Sequence, residues 1–271
     1  MSIVLGGIVV PSTTIVPAGG STPMLGYHNI VTAFNITSNG EAADHPSTAL
    51  ANPLTYDSWI STATPPAVIT VTLDDVAGCD YIGMAGLSGA VSVKVECSDD
   101  GGATWSTALS ETDITGLSVI MLSFDYAEGD VWRVTLGGSS ITASVLFLGQ
   151  ALRMERCIMK TYAPLPYNRV TKFNTNMSEN GQFLGRSITR GGQKSGVSFS
   201  MMTAQWVRGR FQDFVRHART KPYFFSWKPE VYPKESAYVS TDSDIGVSYT
   251  GQKNYMTAEW EMQGLGWNEQ E

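Results

Sequence analysis

Ser98-Asp99-Asp100-Gly101-Gly102-Ala103-Thr104-Trp105 is the stretch whose reading decides the fold. It follows the alternating run Val91–Cys97 and precedes a polar loop. Asp-Asp-Gly-Gly supplies the positive backbone dihedrals of a tight hairpin turn. The Ser98 and Asp100 side chains suit hydrogen bonds to turn amides. Trp105 falls one strand later, where its indole folds over the hairpin. The stretch reads as strand, turn, strand, and that reading requires no chemistry.

Similar strands extend outward from it. Ala67–Leu73 sets Val68, Thr70 and Thr72 against Ile69, Val71 and Leu73. Val91, Val93, Val95 and Cys97 alternate with Ser92, Lys94 and Glu96. Tyr81–Leu87, Val119–Phe124, Val131–Leu136 and Ile141–Leu148 are further short apolar segments, separated by Gly, Asp and Ser clusters. A first strand is expected around Tyr27–Ile36, a loop over Asn39–Pro53, and no helix of any length between residues 26 and 150. Period-2 alternation at this spacing predicts an antiparallel sandwich. Residues 1–25 read as an extended arm or single strand.

After Gln150 the texture changes. Leu152–Met159 reads as a strand-like bridge, and Pro164 and Pro166 stiffen the connector Tyr162–Tyr167. Arg186–Arg190 and Val197–Met201 read as strands around the turn Gly191-Gly192. One helix is expected, Ala204–Arg219, with Thr203 as N-cap. Val207, Phe211, Phe214 and Ala218 form its buried stripe. Arg216, His217 and Arg219 suit the negative end of its dipole, and Pro222 stops it. Tyr223–Trp227 and Tyr255–Met262 close the chain as strands. Trp206, Phe211, Phe214, Tyr223 and Trp227 are the expected C-terminal core, while Trp59, Tyr81 and Trp105 lock the first sandwich.

Charge divides the chain where the pattern changes. The net charge is −7, but residues 1–150 carry two basic residues against fourteen acidic ones, and residues 151–271 sixteen against eleven. That split predicts two domains: 26–152, acidic, and 153–271, basic. Oppositely charged halves suit contacts within the chain or between copies of it. Arg208, Arg210, Arg216 and Arg219 are therefore candidate subunit-interface residues. An acidic chain with one basic helix does not read as a sequence-specific nucleic-acid binder.

Chemistry-bearing motifs are sparse. Cys79, Cys97 and Cys157 are too few for a disulfide framework or a zinc site. His28, His45 and His217 fall in no nucleophile motif. Asp74-Asp75 and Asp99-Asp100 read as solvated turns. No phosphate or dinucleotide fingerprint is present. No cofactor is expected, although loop carboxylates and carbonyls leave a calcium ion open. No apolar run reaches the roughly 18 residues of a membrane span, and Met1–Val10, without a preceding basic residue, makes a poor signal peptide. Synthesis in a cytoplasm is the expectation.

Two resemblances bear on Ser98–Trp105. As S-x-D-x-G-x-T-W it resembles the Asp-box of sialidase-type propellers at Ser98, Asp100, Gly102, Thr104 and Trp105, which would imply a glycosidase. That box recurs once per blade; here it stands alone, and no 20–50-residue repeat exists. Together with Trp59-Ile60-Ser61 and Asp80-Tyr81-Ile82-Gly83, the same hairpin resembles the galactose-binding-like (discoidin-type) sandwich, or jelly roll, carried by many tailed-phage virion proteins. The helix followed by Lys221-Pro222-Tyr223-Phe224-Phe225-Ser226-Trp227 resembles the tail-tube-like β-sandwich of phage distal tail and baseplate proteins. These resemblances imply a mainly β chain of two antiparallel sandwiches, the second with one flanking helix. They imply a non-enzymatic structural protein of the virion tail, ring-forming, joining the tube to hub or fibres. The alternative is a carbohydrate-binding adhesin for a host-surface glycan, although an obvious set of Arg, His and aromatic residues at one loop end is lacking. A glycosidase is the weaker alternative.

Overall fold

The computed structural model describes residues 22–159, 162–190, 192–251 and 254–265. Residues 1–21 of the expected arm lie outside these. In chain order the strands are β1 (Met24–Gly26), β2 (Ile36–Ser38), β3 (Trp59–Ile60), β4 (Ala67–Ala85), β5 (Ser88–Ser98), β6 (Ser106–Asp113), β7 (Val119–Ala143), β8 (Val145–Gly149), β9 (Leu152–Arg153), β10 (Lys172–Met177), β11 (Phe183–Arg190), β12 (Lys194–Thr203), β13 (Tyr223–Ser226), β14 (Ser236–Thr241), β15 (Gly246–Tyr249) and β16 (Tyr255–Leu265). Every pairing is antiparallel, so the chain is mainly β, as its alternation predicts.

The acidic half is built on the order β2-β4-β7-β5-β6, with β3 on β7 and β8 on β4. Segments that read as separate short strands are joined here. Ala67–Leu73 and Tyr81–Leu87 lie largely on β4, and Val119–Phe124, Val131–Leu136 and the start of Ile141–Leu148 lie on β7. The β4–β7 register shifts between Thr72 and Ala77 and again between Cys79 and Tyr81. These bulges bend the ladder instead of ending it, which is why Asp74-Asp75 looks like a turn. Its core includes Trp59, Ile69, Val71, Ile82, Val93, Val95, Trp132 and Val134. The expected strand at Tyr27–Ile36 is a loop up to Asn35. Asn29 accepts from the amides of Val31 and Leu148, both at 3.0 Å, and Asn35 donates to the Ile30 carbonyl at 2.9 Å. Such side-chain bonds to the backbone compete with a ladder.

The C-terminal half is a sheet of order β12-β16-β14-β13-β1-β9, with β15 on β16. Strand β1, from the end of the N-terminal arm, is thus enclosed between β13 and β9. Strands flank Gly191-Gly192 as read, with Gly191 outside the described residues, but they do not pair with each other: β11 pairs with β10 as a separate two-stranded ribbon, and β12 joins β16. Of Leu152–Met159, only Leu152–Arg153 is a strand. The helix begins at Ala204, with the Thr203 hydroxyl capping the Trp206 amide at 3.3 Å. Its middle, Val207–Phe211, is a π turn centred on Gly209, a weak helix former, before an α-helical end at Gln212–Ala218. Val207, Phe211, Phe214 and Ala218 are all buried against the sheet. Trp206 and Trp227 sit half-buried at the rim of that core.

A third apolar cluster joins the halves. Met24, Phe224 and Tyr238 from the C-terminal sheet meet Tyr81, Ala85, Val119, Met121, Val145 and Phe147 from the acidic half. Alternation explains it: Tyr223 and Phe225 point to the helix side while Phe224 points to the acidic half. Strands β8 and β13 are therefore buried on both faces. Gly83 makes the approach possible, since a β-carbon there would lie 2.6 Å from the Phe224 ring. Hydrogen bonds from the Tyr81 hydroxyl to the His28 carbonyl (2.5 Å) and from the Tyr238 hydroxyl to the Pro53 carbonyl (2.7 Å) complete the junction.

Candidate functional site

The Ser98–Trp105 turn is closed by its own side chains. Gly101 and Gly102 take φ of 72° and 91°, the left-handed region the turn requires. The Ser98 hydroxyl accepts from the Gly102 amide at 2.8 Å and donates to Asp100 at 2.7 Å. Asp100 also accepts from the Thr104 amide at 2.8 Å and hydroxyl at 2.7 Å. The Ser98 hydrogen bond, then those of Thr104, hold the Asp100 carboxyl down to about 2. Trp105 lies under the Arg133 guanidinium, 4.0 Å from ring centroid to Cζ. Arg133 in turn donates to Glu96 at 2.8 and 3.0 Å, and Lys94 reaches the same carboxylate at 2.7 Å. Burial opposes ionisation of Glu96, but these two cations outweigh it and lower its pKa. Ser98, Asp100 and Thr104 are thus engaged in holding the hairpin, while Asp99 points its carboxylate to solvent outside that network.

Sequence reasoning missed two partners of this hairpin. Asp130 accepts from the Gly101 amide at 3.1 and 3.3 Å, and Arg133 clamps Trp105. The signal for the second was present, because Arg133 is the only arginine of residues 1–150. Trp59 and Tyr81 are fully buried, Trp59 in the acidic core and Tyr81 in the junction between halves.

Among the described residues no group of three or more His, Cys, Asp or Glu side chains could hold a metal. Among the described residues a serine–histidine contact occurs: Ser58 Oγ lies 3.3 Å from His45 Nδ1, but the Ser58 carbonyl lies nearer the same nitrogen, at 3.0 Å. A nitrogen that donates to that carbonyl cannot take the hydroxyl proton as a base must. No described helix is long and apolar enough to cross a membrane.

The four candidate arginines do not converge. Arg208 donates to the Tyr249 hydroxyl, Arg216 pairs with Asp213 at 2.8 Å one turn away, and Arg219 pairs with Asp244 at 3.0 Å. Arg210 is exposed on the same helix. The surface that stands out lies elsewhere, on the ribbon β10–β11. Phe173, Met177, Phe183, Leu184 and Ile188 are each roughly half to two-thirds exposed. Register puts Phe173 opposite Ile188, Thr175 opposite Arg186 and Met177 opposite Phe183, giving one apolar face interrupted by Arg186. Arg186 folds over the Phe173 ring at 4.4 Å and donates to Thr175 at 3.1 Å.

No family profile matches the chain, and no curated protein matches it. Solved structures are similar to part of it. A family 32 module from Clostridium perfringens, in complex with GalNAc-β-1,3-galactose, has 14% identity and a TM-score of 0.38, over 42% of this chain and 93% of that one. Chitosan-binding module 1 of a chitosanase/glucanase from Paenibacillus sp. IK-5 has 18% identity and a TM-score of 0.40, over 45% and 98%. The family 32 carbohydrate-binding module of C. perfringens NanJ, in complex with galactose, has 11% identity and a TM-score of 0.38, over 46% and 98%.

Proposed function

We propose that this chain is a self-assembling structural subunit, and that the assembly is a ring at the distal tail or baseplate of a tailed bacteriophage. The ribbon Lys172–Arg190 carries this reading. A two-stranded hairpin is marginal in water by itself, yet this one presents five large apolar side chains to solvent. Taking such a side chain from full exposure to full burial contributes roughly 1.5–3 kcal/mol; at half to two-thirds exposure, covering all five contributes roughly 4–10 kcal/mol, of the same order as the roughly 4–15 kcal/mol that association costs. Lys172 and Arg186 make the ribbon basic, which suits the acidic half of a second copy. The buried junction then acts as a rigid mount, so that a subunit held by its basic half carries its acidic half in a fixed direction, toward hub, fibre or host surface. Negative-stain electron microscopy of the purified chain should show closed rings; a monodisperse monomer would sink the proposal.

A second reading, a host-glycan adhesin, is favoured by exposed rings on the acidic half. Phe34 is fully exposed, and Tyr126 is 57% exposed with its hydroxyl donating to Glu128 at 2.8 Å. An exposed aromatic ring suits stacking against the apolar face of a sugar ring. Titration of neutral oligosaccharides should give heat that disappears in Phe34→Ala and Tyr126→Ala; heat unchanged in both would remove these residues from the reading.

A further inference from the structure

A ring of more than two copies needs each subunit to present two unlike surfaces, because a surface that meets its own copy closes at a dimer. The ribbon β10–β11 is one of the two. The bulge of β4 in the acidic half has the features of the other. Phe34, Val76 and Tyr126 flank it, each more than half exposed. Phe34 stands at the corner of a tied turn: the Thr32 amide donates to Asn35 Oδ1 at 2.8 Å, and the Asn35 amide to the Thr32 carbonyl at 3.3 Å. The Asn35 carbonyl then accepts from the Thr72 amide at 2.8 Å, which sets Phe34 beside the bulge. The register shift between Thr72 and Ala77 pushes Asp74, Asp75 and Val76 out of the ladder. Gly78 leaves room for Tyr126, since a β-carbon there would collide with its hydroxyl, and that hydroxyl is fixed on Glu128 at 2.8 Å. The fold thus holds three large apolar side chains in water at one place, where single scattered ones would need no explanation.

Charge indicates what covers them. Asp74, Asp75, Asp125 and Glu128 are exposed around the same bulge. No lysine or arginine occurs before Lys94, and among the described residues none of these four carboxylates pairs with a cation. The ribbon is the reverse: residues 169–190 carry four basic residues and one acidic one. Each surface combines exposed apolar side chains with charge, and the signs are opposite. We propose that the bulge at residues 73–78, with Phe34 and Tyr126, is the socket that receives the ribbon of a second copy, head to tail. Lys172 and Arg186 of the ribbon supply the cations that Asp74 and Asp75 lack. Ribbon against ribbon would set like charge on like charge and stop at two copies, whereas a head-to-tail contact repeats until the ring closes. This inference rests on the assembly reading and adds the receiving surface to it.

Two variants of the full chain test it by light scattering. The socket variant carries Phe34→Ser, Asp74→Lys and Asp75→Lys; the ribbon variant carries Phe173→Thr, Phe183→Thr and Ile188→Thr. Circular dichroism of each should stay native, since every substituted side chain is exposed. Alone, each should need at least about tenfold more protein than the native chain to reach half-assembly, the scale of loss for like charges or missing apolar contacts at such a surface. Mixed in equal amounts, the two should pair and stop at two chains, because each keeps the surface the other has lost. A socket variant that assembles like the native chain overturns this inference and leaves the assembly reading standing. So does a mixture that gives only single chains while the native chain assembles. A socket variant that keeps the native mass but loses its heat with neutral oligosaccharides assigns the surface to a glycan, and overturns the inference as well. A native chain that is monomeric at every concentration removes both this inference and the assembly reading.

Discussion

Two hairpins leave the body of this molecule, and they are opposites. Ser98–Trp105 looks like a functional signature, yet its side chains are consumed by the turn: Ser98, Asp100 and Thr104 bond one another, and Trp105 is covered by Arg133. Lys172–Arg190 carries no motif, yet its five large apolar side chains face solvent. A motif whose groups are all satisfied inside the fold is an architectural device. An unremarkable ribbon whose apolar groups are left in water has an obligation outside the fold. Function is better sought where the bonding is incomplete.

The comparison can be broken by mutation. The largest effect should come from replacing Phe173, Phe183 and Ile188 together with Thr. The account expects the assembly to fall to monomers in analytical ultracentrifugation, while the far-ultraviolet circular dichroism stays native. Intact assemblies would place the contact surface elsewhere. Next is Phe224→Ala in the junction, expected to cost about 3–5 kcal/mol as a fully buried aromatic. Chemical denaturation should show this loss, together with separation of one unfolding transition into two. A cost below about 1 kcal/mol would mean the halves are not mounted on each other through Phe224.

How far the sequence showed these features depends on what sets each one. The helix stripe Val207, Phe211, Phe214 and Ala218 was legible because periodicity alone buries it. The antiparallel strands were legible from alternation, but not their fusion into the bent β4 and β7, because bulges leave Asp and Gly inside a strand where they look like a turn. The doubly buried β13 could be read as apolar, though not what covered its second face. Tyr238 and Phe147 come from distant segments, and only the tertiary fold brings them to Phe224. The hairpin at Ser98 was legible as a turn, but not the Asp130 and Arg133 contacts that brace it from β7. The ribbon was obscured by Gly191-Gly192, which suggested a turn between β11 and β12, while the alternation of Phe173, Thr175 and Met177 was the signal available to find it.

Smaller effects sharpen the other side of the comparison. Ser98→Ala removes a buried hydroxyl that serves the Gly102 amide and Asp100, and should cost about 1–2 kcal/mol. The assembly should be unaffected, so an altered oligomer would mean the Ser98 hairpin also makes contacts between copies. The smallest effect is on pH. Asp100 is held at about 2, below its ordinary value of 3.8. Its contribution is therefore complete above that ordinary value and is lost as pH falls through about 2. Amide exchange at Gly102 and Thr104 should lose protection over that interval, and Asp100→Asn should remove the pH dependence. Protection that stays constant down to pH 2 would contradict the hydrogen bonding described for the turn.

The most direct test of the central claim, that the ribbon Lys172–Arg190 exists to be covered by another copy, is the mass of the native chain in solution. Multi-angle light scattering over micromolar concentrations should give an integral multiple of 29.3 kDa, falling toward one chain as the Phe173, Phe183 and Ile188 positions are made polar. A native mass of 29.3 kDa at every concentration would contradict the account.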